Sequence, residues 1–292
     1  MSPPTPFDAP PASVAAARRP LSLEERRDLG RAFARRHADA SPWLTMVVPA
    51  YEEEARILPT LLSAVLHLRG FGLPFEVIVV DDGSRDGTAR VVRAFAGEHP
   101  ELRLLSFPRN RGKGAAVRAG MQEGRGAWLL MNDADGATPV TELERLLVAA
   151  DAGADVVVGS RAVAASDVRV ERRVFRHVVG RAFARLARWL AVPGIADTQC
   201  GFKLFRRNAA KEIFSRQALD RFGFDVEALF LARRLGFEIA EVPVSWHDVE
   251  GSKVSLLAGA DGFLDILRVR WIHRGLRPPA ALGRRVVGRD RP

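Results

Sequence analysis

The stretch that decides the fold is Trp128-Leu129-Leu130-Met131-Asn132-Asp133-Ala134-Asp135, in which an apolar run ends at two carboxylates. Such a run predicts a buried strand whose end lies at the rim of a parallel sheet, where open α/β folds bind ligands. Because side chains alternate along an extended backbone, we expect Asp133 and Asp135 on the same side. The two acids would then face a single site.

These neighbouring carboxylates need a partner, because like charges so close together raise each other's pKa. A divalent cation is one candidate, since Mg²⁺ or Mn²⁺ prefers one or two carboxylates completed by phosphate and water oxygens. The other interpretation is a helix start. Thr138-Pro139 followed by Glu142 predicts a helix over 139–150, and acids favour that end of a helix. The spacing alone leaves both interpretations open.

Composition indicates a globular chain with an excess of positive charge. The chain has 292 residues, 47% of them hydrophobic, and a net charge of +9. Arginine carries this charge, which favours the binding of phosphate groups, although a compositional bias toward Arg also accounts for part of it. The single Cys200 excludes an internal disulfide and favours a reducing compartment. No apolar run reaches the ~18 residues of a membrane span, so we expect a soluble or peripheral protein.

Strands and helices alternate along the chain. Strands are predicted over 44–50, 75–80, 102–107, 128–132, 155–160 and 237–242. Helices are predicted over 57–68, after a cap at Asp86 or Thr88, and over 115–123, 139–150, 208–214 and 222–235. A polar loop from 194 also leads into a strand near 205. This alternation predicts an α/β fold with a right-handed, doubly wound, mostly parallel sheet and flanking helices. Glu227 lies in the first turn of a helix, where the helix dipole favours acids, and that interpretation is sufficient for it.

Polar clusters follow five of these strands, and we expect them to meet at one edge of the sheet. The clusters are Pro49 to Glu52, Asp81-Asp82, Arg109 to Gly114, Asp133 to Asp135 and Ser160-Arg161. Lys113, between two glycines, either offers its charge to a phosphate or lies in solvent at a helix start. The spacing matches neither the Walker phosphate loop nor the dinucleotide fingerprint, so neither an ATPase nor a dehydrogenase is supported.

The flanking segments are basic or amphipathic. The composition of residues 1–20 predicts a disordered tail. The sequence Ser22-Leu23-Glu24-Glu25 predicts a capped helix that either packs on the domain or lies on a membrane. From 168 to 189, arginines interleave with apolar residues, which predicts a membrane-surface helix or a solvated face. Nucleic acid is disfavoured, because no base-reading motif accompanies the charge. A final amphipathic helix is predicted over 261–273, and the Arg-rich tail that follows it resembles a second contact for an anionic surface.

Several motifs together resemble the family 2 glycosyltransferases. Those motifs are Val47 to Glu53, Val79 to Thr88, Asn110 to Gly114 and Asp133 to Asp135. Four segments resemble one group within that family, the dolichyl-phosphate glucosyltransferases. They are Asp133 to Thr138, Asp197 to Phe205, Phe224 to Glu227 and Gly251 to Lys253. The similarity covers residues 44–256 and implies one Rossmann-like, GT-A-type domain that binds a nucleotide sugar. Two segments would flank this domain. Residues 1–43 would form a tail and a helix, and residues 257–292 would form an amphipathic helix and a basic tail.

The resemblance implies roles for individual residues on the donor side. The expected nucleotide-sugar positions are Pro49, Ala50, Glu52, Asp81 or Asp82, Asn110, Lys113 and Asp133. Asp133 and Asp135 match the family's acids for the diphosphate and for a metal, Mg²⁺ or Mn²⁺. One departure concerns that metal. Related polyprenyl-phosphate mannosyltransferases have Gln two residues beyond the second acid, where this chain has Ala137.

On the acceptor side, the resemblance implies a phosphate clamp of Arg161, Arg172, Arg176 and Lys253. The implied reaction is inverting transfer of glucose from UDP-glucose to a polyprenyl phosphate, by a cytoplasmic enzyme peripheral at the inner face of an anionic membrane. Eukaryotic members of the group have an N-terminal membrane helix, and residues 1–43 contain none. Because the acceptor phosphate is already anionic, Asp197 and Asp225 are expected to orient groups or balance charge. The expected catalytic residues are Asp135, Arg161, Asp197 and Asp225.

Three other functions fit parts of this pattern. The same class of enzyme could use another donor, such as GDP-mannose, or a hydroxyl acceptor that needs a general base. A nucleotidyltransferase shares the acidic pair and the nucleotide crevice, but it releases pyrophosphate. A non-enzymatic module would bind anionic membranes through its Arg-rich stretches and would have no affinity for a nucleotide sugar.

Overall fold

A computed structural model describes residues 22–163, 168–169, 192–247, 249 and 256–276 of the chain. Its strands are β1 Leu44–Ala50, β2 Phe75–Asp81, β3 Leu102–Ser106, β4 Trp128–Asn132, β5 Val156–Ser160, β6 Val168–Arg169, β7 Phe202–Arg206, β8 Ile239–Pro243 and β9 Trp246–His247. Seven of them form one sheet in the order β3-β2-β1-β4-β7-β5-β8, and β6 pairs with β9. Neighbouring strands of the large sheet are parallel except on either side of β7.

Helices cover both faces of this sheet. They are α1 Leu23–Arg36, α2 Ile57–Arg69, α3 Thr88–Glu98, α4 Lys113–Glu123, α5 Leu143–Asp151, α6 Arg207–Arg216, α7 Phe224–Arg234 and α8 Leu256–Ile272. The helix predicted over 139–150 is divided, since Pro139 keeps an extended backbone and Val140–Glu142 forms a 3₁₀ turn before α5. The acids at 133 and 135 therefore lie several residues before the first helical turn and do not cap it.

Aliphatic side chains of the sheet alternate between two buried layers. Val48 and Leu130 pack in the layer under α1, α2, α3 and α5, whereas Val47 and Met131 pack in the layer under α4, α6, α7 and α8. Burying each such side chain contributes about 1.5–3 kcal/mol, so the alternation fixes which way the strands face. Continued past the end of β4, the same alternation directs Asp133 toward the α4 side of the sheet.

Strand β7 is antiparallel to both of its neighbours, β4 and β5. Its second residue, Lys203, lies opposite Met131 on one side and Val158 on the other. Because β7 runs in the opposite direction, its first residues lie at the carboxyl ends of β4 and β5. The strand thereby brings the loop before it, including Gly201, to the edge where the acids of 133 and 135 are found.

The first helix packs on the domain, which was one of the two expected arrangements. Its predicted capping box is present, with Glu25 N donating to Ser22 Oγ at 3.2 Å and Ser22 N donating to Glu25 Oε2 at 2.7 Å. Phe33 is buried, and its ring lies 5.4 Å from that of Trp128. Arg36 pairs with Asp151 at the end of α5. Apolar burial thus orients α1 toward the core.

Three of the predicted segments lie outside the described residues. They are the tail over 1–20, most of the basic stretch over 168–189, and the Arg-rich C-terminus beyond 276. In the part of the chain that the structure does describe, no helix combines the length and the apolar character that crossing a bilayer requires.

Candidate active site

Lys113 and Asp133 form an ion pair at the carboxyl edge of the sheet. Lys113 is the first residue of α4, and its Nζ lies 2.6 Å from Asp133 Oδ1 just beyond β4. Burial lowers the pKa of Lys113, but the carboxylates of Asp133, Asp225 and Asp135 outweigh that effect and leave the pKa raised. Lys113 is therefore a fixed cation among acids, and the alternative of a lysine in solvent at a helix start is wrong.

The loop before Lys113 is held by Asp82 at the end of β2. Asp82 Oδ1 accepts from Arg111 N at 2.7 Å, and its Oδ2 accepts from Gly112 N at 2.8 Å. Burial raises the pKa of Asp82, and the two amide hydrogen bonds oppose that rise. Both carboxylate oxygens are thus engaged by the loop, whereas the neighbouring Asp81 uses Oδ1 to accept from Ser84 N at 3.0 Å. Asp82 therefore fixes the backbone conformation of the loop before Lys113.

The glycines on either side of Lys113 allow a close backbone approach, but the approaching group belongs to the protein. A Cβ at Gly112 would lie 2.3 Å from the carbonyl oxygen of Asp220, and one at Gly114 would lie 2.6 Å from that of Leu219. Ala115 N donates to the Asp220 carbonyl oxygen at 3.1 Å. The close approach permitted by these glycines is therefore used for a contact between α4 and the loop before α7.

Asp135 lies beside this ion pair and carries the second carboxylate. Its Oδ1 accepts from Ala137 N at 3.0 Å. Burial raises the pKa of Asp135, the charge of Asp133 raises it further, and Lys113 and Arg56 oppose the rise. The two acids are therefore electrostatically coupled, as their spacing predicted, and a cation between them would relieve the repulsion.

The donor set at this position fits a hard divalent cation. Carboxylate oxygens are the protein ligands that Mg²⁺ and Mn²⁺ prefer, and such ions commonly take their other ligands from phosphates and water. Within the described ranges no three His, Cys, Asp or Glu side chains are grouped to hold a metal. Ala137 offers no side-chain oxygen.

Arg161 and Asp197 form a second ion pair, after β5. Arg161 Nε and Nη2 donate to the two oxygens of Asp197 at 2.7 and 3.0 Å, and Arg161 N donates to Oδ2 at 3.0 Å. Although burial lowers the pKa of the guanidinium and raises that of the carboxyl, the pair outweighs both effects. The Arg161 guanidinium also lies 5.4 Å from the ring of Trp246. Glu241 supports the loop by accepting from Ala196 N and Asp197 N at 2.9 and 2.8 Å.

A third pair, Lys203 with Asp225, is almost completely buried. Lys203 Nζ binds Asp225 Oδ1 and donates to the carbonyl oxygen of Cys200 at 2.6 Å. Burial raises the pKa of Asp225, and the charges of Lys203 and Lys113 oppose that rise. Sequence reasoning named Asp225 but not Lys203. The sequence did contain a signal, since a lysine between the apolar residues Phe202 and Leu204 of a buried strand needs an anionic partner.

The residues expected at the nucleoside lie along the end of β1. Ala50 is buried opposite Asp81 in β2. Glu52 has a positive φ of 53°, and its backbone N donates to Ser84 Oγ at 2.8 Å. Asn110 is exposed in the loop that Asp82 holds. The ends of β1 and β2 thus form one wall beside the charged cluster.

The structure gathers most of the predicted site residues at one edge of the sheet. Electrostatic coupling joins Lys113 to Asp133, Asp135 and Asp225, and joins Arg161 to Asp197 and Asp133. The remaining acceptor-phosphate candidates, Arg172, Arg176 and Lys253, lie outside the described residues.

Comparison with known proteins agrees with this fold. The family model described as Glycosyl transferase family 2 matches residues 45–214. The chain therefore belongs to glycosyl transferase family 2. A dolichyl-phosphate beta-glucosyltransferase of Trichomonas vaginalis is 42% identical over 238 residues, covering 78% of this chain and 70% of that protein. The enzyme of the same name from Homo sapiens is 39% identical over 228 residues, covering 72% of this chain and 69% of that protein.

Solved structures agree in fold. Glucosyl-3-phosphoglycerate synthase from Mycobacterium tuberculosis, in complex with UDP, superposes with a TM-score of 0.59 at 20% identity, covering 86% of this chain and 85% of that one. The same enzyme with Mn²⁺, UDP and phosphoglyceric acid gives 0.60 at 20% identity, with 86% and 84% covered. The predicted GT-A fold and the predicted class, a family 2 hexosyltransferase, are thus confirmed.

Proposed function

We propose that the protein transfers glucose from UDP-glucose to a polyprenyl phosphate, with inversion at the anomeric carbon. The observation that carries the proposal is the paired arrangement at the sheet edge, where Lys113 binds Asp133 and Arg161 binds Asp197. The Lys113–Asp133 pair lies beside the loop over 109–112, and the Arg161–Asp197 pair lies after β5. A donor diphosphate and an acceptor phosphate would thus each meet a fixed cation. The names of the relatives agree with this pair of substrates.

The ion pairs of Asp197 and Asp225 support an acceptor that is already anionic. Asp197 is held by both of its oxygens to Arg161, and that ion pair lowers its pKa, which makes it a weak base. Asp225 is buried in an ion pair with Lys203. A sugar or alcohol hydroxyl would need a general base to remove its proton, whereas a phosphate monoester attacks as an anion at neutral pH.

Each ion pair would also bind or orient one of the substrates. Lys113 would bind the donor diphosphate and balance the charge that collects on UDP as it leaves. Arg161 uses Nε and Nη2 to bind Asp197 and lies against Trp246, and its Nη1 would orient the acceptor phosphate for in-line attack. Asp133 and Asp135 would hold Mg²⁺ or Mn²⁺, which, when bound, acts as a Lewis acid toward the diphosphate.

Helix α8 supports the membrane part of the proposal. Four apolar side chains on its exposed face are 40 to 68% accessible: Leu264, Leu267, Trp271 and Ile272. Arg274 lies over the ring of Trp271, 4.8 Å from its centroid, where it would meet a lipid phosphate while the apolar side chains enter the interface. We propose that α8 lies against the lipid and that the enzyme is peripheral at the inner, cytoplasmic face of the membrane.

A donor screen tests the proposed function. The purified protein would be given a short polyprenyl phosphate with either Mg²⁺ or Mn²⁺ and, in turn, UDP-glucose, GDP-mannose and other nucleotide sugars. We expect UDP to be released with UDP-glucose, together with glucosylated lipid. Release of GDP from GDP-mannose alone would show another donor, and release of pyrophosphate would show a nucleotidyltransferase. Lipid binding without affinity for any nucleotide sugar would indicate the non-enzymatic module.

A further inference from the structure

Glu227, on α7, joins α8 to the loop over 217–223. Its carboxylate is fully buried, accepting from Ala218 N at 2.9 Å on Oε1 and from Leu219 N at 2.8 Å on Oε2. His273, at the end of α8, places Nε2 2.6 Å from the same Oε1. The earlier interpretation, in which Glu227 serves its own helix dipole, is therefore insufficient, since all of these contacts leave α7.

The loop over 217–223 in turn packs against the first turn of α4. Gln217 Nε2 donates to the carbonyl oxygen of Gly114 at 3.0 Å, and Arg118 Nη2 lies 2.6 Å from Asp220 Oδ1. Arg118 Nη1 also donates to the carbonyl oxygen of Gln217 at 3.0 Å. The close backbone contacts at Gly112 and Gly114 are made by this same loop. No space for a side chain remains between the loop and α4.

Lys113 lies between these contacts. Asp82 holds the backbone of the two residues before it, and the loop holds Gly114 and Ala115 after it. The direction in which Lys113 leaves the helix is thus fixed from both sides, and its Nζ reaches Asp133. A shift of the loop would be passed directly to the first turn of α4, because packed backbone segments move together.

We propose that His273 and Glu227 are positioning residues for Lys113. Through the loop over 217–223 they hold the α4 N-terminus so that Lys113 faces Asp133 and the donor diphosphate, and they tie that geometry to α8. The proposal rests on the proposed function for the role of Lys113, although the mechanical link itself does not depend on the substrate. Neither His273 nor Glu227 contacts Lys113, so they act only through the loop.

The test compares variants of this link with a variant of the same helix outside it. His273→Ala removes the donor to Glu227, His273→Gln retains an N–H near the position of Nε2, and Gln217→Ala breaks the contact between the loop and Gly114. Val269→Ala is the control, because Val269 is buried on α8 without a polar contact to the loop. Each protein would be examined by UDP titration, by KM measurements for donor and acceptor, by hydrogen exchange over 111–118, and by thermal unfolding.

We expect His273→Ala and Gln217→Ala to weaken UDP binding and raise the donor KM by about tenfold, with an unchanged acceptor KM and faster exchange over 111–118. His273→Gln should restore most of the UDP affinity. Val269→Ala should lower the unfolding temperature without changing UDP affinity or that exchange. If His273→Ala behaves like Val269→Ala, the inference is overturned. A wild-type protein that binds no UDP would refute the proposed function instead, and the exchange data would still decide the link.

Discussion

Gly201, immediately before β7, lies directly against the carboxylate of Asp133, so that a Cβ at position 201 would be 2.0 Å from Oδ2. The contact arises because β7 is antiparallel and its start reaches the carboxyl end of β4. Any side chain at 201 would push the Asp133 carboxylate away from Lys113.

Gly201→Ala should therefore reduce turnover by about 10²-fold, because a displacement of about 1 Å at a reacting centre has an effect of that size. Steady-state kinetics would measure the loss. Gly97→Ala is the matched control, since a Cβ at Gly97 meets nothing within 4 Å. Equal turnover in the two variants would mean that the position of the Asp133 carboxylate is unimportant.

Lys113→Met should weaken UDP binding by about 10- to 100-fold, the range expected when a hydrogen bond to a charged group is lost. Titration calorimetry with UDP would measure the change. The control is Lys211→Met, because Lys211 Nζ donates to the carbonyl oxygens of Met121 and Gly124 at 3.0 and 2.7 Å at the other end of α4. That variant should lose stability and keep its UDP affinity. The opposite pattern would exclude Lys113 from the donor site.

The Arg161–Asp197 pair should contribute stability that depends on pH. Arg161 holds the pKa of Asp197 below its ordinary value. The stabilisation is then fully present above the unfolded-state pKa of about 3.9 and is lost as the pH falls through the lower folded-state pKa. The difference in free energy of unfolding between the wild type and Asp197→Asn should shrink as the pH falls from about 6 to about 3. Urea unfolding at each pH measures it, and a constant or growing difference would contradict the assigned shift.

Removing either partner of the buried Lys203–Asp225 pair should destabilise the fold. Lys203→Met leaves an unpaired buried carboxylate and should cost about 3–5 kcal/mol of unfolding free energy. The double variant with Asp225→Asn should be destabilised by less than the sum of the two single variants, because the second change removes the stranded charge. Urea unfolding of all four proteins gives the coupling energy. Additive effects would mean that the two side chains do not depend on each other.

Much of the fold was predictable because the first five strands are rich in apolar residues and each is followed by polar residues. Buried runs of that kind leave little choice of face, and parallel strands bring their carboxyl ends together. The proximity of Lys113, Asp133 and Asp135 follows from those two facts. The capping box of α1 was also predictable, since Ser22 and Glu25 form it through local contacts.

What could not be predicted depends on pairing between distant segments. The place of β7 between β4 and β5 is set by long-range strand pairing, and the local pattern of 202–206 does not encode its direction. The contact of Gly112 and Gly114 with residues 219–220 joins segments about a hundred positions apart, so those glycines suggested a phosphate instead. Glu227 matched a simple helix-start pattern, which concealed its bonds to another loop and another helix.

The central claim is that this edge of the sheet moves glucose from UDP to a lipid phosphate with the help of Asp135. The most direct measurement follows labelled glucose from UDP-glucose into a short polyprenyl phosphate, with Mn²⁺ or with EDTA. Wild type, Asp135→Ala and the control Asp151→Ala would be compared, since Asp151 lies half exposed at the end of α5. The account predicts labelled lipid from wild type and Asp151→Ala with metal, and none with EDTA or from Asp135→Ala. Undiminished labelling by Asp135→Ala, or no labelled lipid from the wild type, would contradict it.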